Sequence, residues 1–181
     1  MKTTERTALG AVIGLIAGVV ATGPMTTAMI LWHRRLPASE RYPLPPREIT
    51  MKLARHAGVA DKMSAETRSA ATMLAHFGYG GATGAIYGAL SDNIPASTLS
   101  KGVAFGLLVW TASYLGVLPG AGILSVATKH PARRNLLMIG AHVVFGATTG
   151  ALTALLKEEA DGRGAQPFST TWTPHRDVVS R

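Results

Sequence analysis

Charged and apolar positions fall in long blocks along this chain, not at the short periods of soluble helices or strands. Residues 8–32, 70–90, 102–128 and 135–156 contain no Asp, Glu, Lys or Arg. Each block is mostly apolar, and about 20 helical residues cross a hydrocarbon core about 30 Å thick. The pattern predicts an all-α integral membrane protein with four transmembrane helices, over about 8–32, 65–90, 102–128 and 132–156. They form one membrane domain, residues 1–156. A basic loop over 33–64 lies within it, and a flexible tail follows over 157–181. Gly23-Pro24 predicts a kink in the first span, and Pro119-Gly120 a break in the third. Ser64 is a fitting N-cap for the second.

Composition agrees. The 181 residues hold 18 Lys and Arg and 10 Asp and Glu, only 15% charged, against roughly 25% in soluble domains. Gly contributes 20 residues and Cys none. A soluble α/β enzyme, a disulfide scaffold and a disordered chain all fit poorly. Lys2 and Arg6 before an apolar stretch also resemble a signal peptide. The stretch nevertheless continues to Trp32 and ends on His33-Arg34-Arg35, as a membrane anchor does.

Charge asymmetry then predicts orientation. The 33–64 loop with the start of span two, together with the loop between spans three and four, carries 11 Lys and Arg. The opposite side carries five near the membrane: Lys2, Arg6, Lys101, Lys157 and Arg163. The positive-inside rule places both basic loops in the cytoplasm and both termini outside. The net charge of +8 is thus accounted for by topology, and no nucleic-acid partner is implied.

The chain also repeats itself. AHFGYGGATGAIYGAL over 75–90 aligns without gaps to AHVVFGATTGALTALL over 141–156. Spans one and three match more loosely, with Gly10/Gly14 placed opposite Gly102/Gly106. Two tandem two-helix units follow, related by a pseudo-two-fold axis along the membrane normal. Small residues recur every four positions: Gly10, Gly14 and Gly18; Gly80, Gly84 and Gly88; Gly102 and Gly106; Gly146 and Gly150. Such strips let helix backbones approach closely. They serve a tight bundle, or self-association, or docking onto another membrane subunit.

Candidate chemistry is sparse. No carboxylate lies in any span, which argues against a carboxylate-driven carrier. His76 and His142, at equivalent repeat positions, are the ionisable pair at membrane depth. Three roles are open to them. They could form interhelical hydrogen bonds, to a carbonyl or to Tyr79, Tyr114 or Thr111; they could act as a protonation switch; or they could ligate haem b between spans two and four. No other cofactor and no metal is predicted, nor is any catalytic residue. Arg47 to Gly58 reads as a short amphipathic helix in the headgroup plane, with Ile49, Leu53 and Ala57 as its apolar stripe. Arg47, Arg55, Arg133 and Arg134 are candidate headgroup contacts, so membrane lipids are the expected partners, beside a homo-oligomer or a larger complex.

GLIAGVV in span one, YPLPPREIT in the loop, AHFGYGGATGAIYG and the HPARRN-to-GAH segment together resemble the uncharacterised YagU-like family of small bacterial inner-membrane proteins. The likeness covers about 8–156. It implies an inner-membrane location and, for one branch, a link to acid resistance, with no established reaction. The combined reading is a non-enzymatic inner-membrane protein of membrane or pH homeostasis, with an accessory subunit of a larger complex as its alternative.

Overall fold

The computed structural model describes residues 2–162, and all regular structure among them is helical. Helix α1 (Thr3–His33) begins before the uncharged block and runs unbroken through Pro24. Around that proline Thr22, Thr26 and Thr27 donate to the carbonyls of Gly18, Thr22 and Gly23, at 2.8, 2.7 and 3.1 Å. Local hydroxyl bonding of this kind is how membrane helices tolerate proline.

Helix α2 (Pro45–His56) starts on a proline, whose missing N–H costs nothing in a first turn. Helix α3 (Ala65–Leu90) is capped by Ser64, which accepts from the Thr67 amide at 3.2 Å. Helix α4 (Thr98–Thr111) passes into a π-helical turn, Ala112–Val117, and a short α5 (Leu118–Gly120). Helical structure here covers Thr98–Gly120 and not the expected 102–128. Pro119 supplies no amide to the turn before it, and Gly122 at φ +65° then turns the chain away. Helix α6 (Ala132–Ala160) carries four residues, Lys157–Ala160, that were expected in the tail. The rest of that tail, from residue 163, lies outside the described residues.

Three of these helical stretches, Thr3–His33, Thr98–Gly120 and Ala132–Ala160, are long and apolar enough to cross a membrane. Glycines, two tyrosines and His76 dilute the hydropathy of α3.

Helices α1 and α6 form the centre; α3 packs on α1, and α4 on α6. Glycine decides both flanking contacts. A Cβ on Gly10, Gly14 or Gly18 would strike the carbonyl oxygen of Gly88, Gly84 or Gly80, respectively. On α4, a Cβ on Gly102 or Gly106 would strike the carbonyl of Gly146 or His142. All ten glycines of the four strips therefore lie at these two contacts.

The contacts also revise the alignment of the first helices. Gly84 meets Gly14 and Gly18, and its repeat equivalent Gly150 meets Thr98 and Gly102. Gly102 thus takes the place of Gly18, not of Gly10, a shift of eight residues or about 12 Å along the helix.

At the end where α1 begins and α6 finishes, Lys157 ties α6 to the end of α3. Its Nζ donates to the Gly88 carbonyl at 2.9 Å, Ser91 Oγ at 3.2 Å and Asp92 Oδ1 at 2.8 Å. A cation suits the free carbonyls of a helix C-terminus. Asp92 is 59% exposed, so Asp92→Asn should change stability by less than about 0.5 kcal/mol. Lys157→Met should cost about 1–3 kcal/mol, because the Gly88 carbonyl loses its partner. Unfolding of the two variants in mixed micelles checks the difference.

Candidate functional site

The helices close tightly where glycines meet and part toward the basic loops, leaving a cavity of about 230 Å³. Its floor is at Thr83 and Val109, and α1 and α6 contribute Thr22, Met25, Met138 and Phe145. Helix α2 roofs it with Pro46, Ile49, Thr50 and Leu53. The apolar stripe expected in the headgroup plane is therefore turned onto the bundle at Ile49; Leu53 reaches the cavity edge but is 48% exposed, and Ala57 is exposed.

Both candidate histidines line this cavity. His142 is 4% exposed, and its Nδ1 donates to the Met138 carbonyl at 2.7 Å. A carbonyl only accepts, so Nδ1 carries the proton and Nε2 of the neutral ring keeps its lone pair. His76 Nε2 lies 3.2 Å from Thr26 Oγ1. That hydroxyl already donates to the Thr22 carbonyl, so it accepts from His76 and leaves the Nδ1 lone pair of His76 free. Neither histidine bonds to Tyr79, Tyr114 or Thr111. The bond of His76 is interhelical, to a threonine four residues beyond Thr22 on the continuation of the Gly14–Gly18 strip. That four-residue spacing, extended past the glycines, was the signal that could have found it.

The π-helical turn supplies the remaining polar groups. It buries Ser113 and Tyr114 between exposed Ala112 and Leu115. Ser113 Oγ hydrogen-bonds Tyr79 Oη across from α3 at 2.9 Å. The Tyr114 ring stacks on Trp110 at 6.2 Å and meets His142 edge-on at 5.8 Å. Only the wider turn points Ser113 inward, and nothing in the residue spacing announces it. Between His76 and His142 a cavity of this size, below the roughly 300–1,000 Å³ of drug-sized sites, leaves no room for a porphyrin plate.

The basic candidates separate. Arg47, Arg55 and Arg133 are exposed. Arg134, expected at a lipid headgroup, is instead 6% exposed and faces inward. Its guanidinium donates to the carbonyls of Glu40 (2.9 Å), Tyr42 (3.0 Å) and Pro43 (3.0 Å), and lies 3.5 Å from the centroid of the Tyr42 ring. His33 Nε2 also reaches the Tyr42 carbonyl at 3.0 Å, and the Tyr42 hydroxyl bonds His130 Nδ1 at 2.9 Å. These bonds fasten the segment that leads into α2, and so hold the roof in place. A planar fork of donors suits carbonyls spread over Glu40 to Pro43 and can lie flat on the Tyr42 ring at the same time, which a compact ammonium cannot do.

Fold and cavity describe a helical protein with three membrane-length helices and a mainly apolar cavity that two histidines line. The chain belongs to DUF6789, a family of unknown function, which matches residues 9–163. Nothing links that family by name to the YagU-like proteins that the sequence resembles. No curated protein and no solved structure matches the chain.

Proposed function

We propose that this is a four-span protein of the bacterial inner membrane, built as two tandem two-helix units with both termini outside. It serves membrane or pH homeostasis and catalyses no reaction. Support for the fourth span comes from α3, whose 26 residues extend about 39 Å. One face packs on α1 through glycines, and Met73, Leu74, Ile86 and Leu90 are 48–78% exposed elsewhere on it. Such side chains fit an apolar solvent. Support for the paired units comes from the equivalent contacts at Gly84 and Gly150.

The observation that carries the pH role is that His76 and His142 line one cavity, each with one nitrogen free to take a proton. No Asp, Glu, Lys or Arg is among the lining residues; Tyr79 and Tyr114 face the imidazoles, and Glu48 and Arg134 stand nearest at the roof. A proton on either ring would put an unpaired charge among apolar groups, which water entering under α2 would relieve. Acidification thus loosens the roof.

Combined His76→Ala and His142→Ala should lower acid survival of the producing cells at unchanged protein level. Survival equal to wild type removes the pH role. The accessory-subunit reading draws on α4 and the π-helical turn after it, where Leu99, Leu108 and Val117 are 63–68% exposed at the edge of the bundle. Native mass spectrometry of gently extracted protein separates the two: further polypeptides in the complex favour the subunit.

A further inference from the structure

The same cavity carries a more specific chemistry than proton uptake. Its walls are flat and polarisable, with Tyr79, Tyr114 and Phe145 beside Met25 and Met138. None of its lining residues is Asp, Glu, Lys or Arg, so an ionic ligand would be buried without a counter-charge. A cavity of about 150 Å³ lined by apolar residues is known to take up benzene, and this one, at about 230 Å³, has space for a single substituted ring.

Its hydrogen-bonding capacity is also unfilled. Nε2 of His142 and Nδ1 of His76 are acceptors without a donor once the other nitrogen of each ring is committed. The Tyr79–Ser113 pair uses one of its two O–H groups and keeps the other. The Tyr114 hydroxyl makes no hydrogen bond among the described residues, although its ring is held between Trp110 and His142. The site therefore offers two lone pairs and two hydroxyl donors around an apolar, flat-walled space.

One wall of the cavity lies near the surface. Helices α3 and α4 meet through side chains, Tyr87 on Phe105 at 5.1 Å toward the terminal end and Tyr79 with Ser113 at the cavity. Tyr79 both lines the cavity and is 52% exposed, so the wall at its hydrogen bond to Ser113 of the π-helical turn lies at the outer face.

We propose that the cavity binds the ring of an isoprenoid quinol, with its tail passing between α3 and α4 into the lipid. This rests on the reading of the cavity as the functional site within a membrane. Quinol hydroxyls donate to the two imidazole lone pairs, and their oxygens accept from Tyr114 and from the Tyr79–Ser113 pair. The ring is neutral, matching uncharged walls, and flat, matching the aromatic ones. Binding alone is proposed, with no electron transfer.

The test uses the full chain in detergent, with a benzoquinol carrying a ten-carbon tail kept reduced by dithionite, and equilibrium dialysis as the readout. Saturable binding near one quinol per chain is expected. Tyr114→Phe and His76→Phe keep a ring in place; the first removes one hydroxyl, the second the free lone pair together with the bond to Thr26, and each should weaken binding about tenfold, the equivalent of one bond to the ligand. Absence of saturable uptake by folded protein overturns the proposal. So does binding that neither variant alters, which is partition into the micelle, or equal competition by a long-chain alcohol without a ring. Acid survival distinguishes this from the homeostasis reading, because Tyr114→Phe retains both imidazoles. Saturable quinol binding beside unchanged survival of the double alanine variant leaves the ligand site standing and the pH role rejected.

Discussion

Gly14→Leu should abolish the native bundle. A Cβ at position 14 would collide with the Gly84 carbonyl oxygen and lie 2.8 Å from the Gly88 Cα, so backbone, not a mobile side chain, stands in its way. Relief requires α1 and α3 to separate along the whole Gly10–Gly18 strip, which also pulls Thr22 and Thr26 away from Gly80 and His76. Overpacking commonly costs 1–3 kcal/mol, and rigid backbone on the opposing face puts this case at about 3 kcal/mol or more. The measurement is the yield of monodisperse protein from detergent extraction and its unfolding midpoint. Gly23→Ala is the control, since a Cβ there meets nothing within 4 Å. Within a helix that change should be neutral or stabilising by up to about 1 kcal/mol. Equal loss in both variants would mean that glycine content, and not the α1–α3 contact, governs folding.

Arg134→Ala should release the roof while leaving the bundle assembled. The carbonyls of Glu40 and Pro43 lose their donor, that of Tyr42 keeps only His33, and the Tyr42 ring loses the guanidinium over its face. Water can reach Pro43, so the net cost is about 2–4 kcal/mol, concentrated in the segment that precedes α2. Limited trypsin digestion reads it directly, because Arg41, Arg47 and Arg55 are exposed on that segment and on α2. Cleavage there should accelerate by more than about tenfold, in line with a rise in the open population. Arg134→Lys should recover less than half of the protection, since a compact ammonium lacks the planar fork that reaches from Glu40 to Pro43 and covers the Tyr42 ring. Unchanged cleavage in Arg134→Ala would show that the Tyr42 bonds to His33 and His130 and the packing of Ile49 hold α2 without the guanidinium.

The two outcomes bear on different levels of the same architecture. Glycine contacts set how closely the helices approach at the terminal end. Arg134 sets whether the wider end is covered. A cavity exists because the chain does both at once.

Much of this was legible in the residues because each signal was local. Uncharged blocks marked four helices, of which three are long and apolar enough to cross a membrane, and the glycines at four-residue spacing lie where α1 meets α3 and α4 meets α6. The Ala-His repeat singled out His76 and His142 before any geometry was known, and both line one cavity. Other features depended on partners far along the chain. Arg134 read as a surface cation because its neighbours are Arg133 and His130, yet its hydrogen-bond partners lie more than 90 residues away. The eight-residue shift between α1 and α4 was equally hidden, because Gly-x-x-x-Gly can be aligned to any of several turns and only contact with the partner helix selects one.

By itself, then, the sequence determined the apolar helices, their small-residue faces and the histidine pair, since length, hydropathy and spacing are properties of single segments. Only the tertiary structure decided that α2 covers a cavity, that Ser113 and Tyr114 turn into it, and that Arg134 holds the cover. The reason is physical: a buried polar group must find its partner wherever the fold brings one, and that choice is made between segments, not within them.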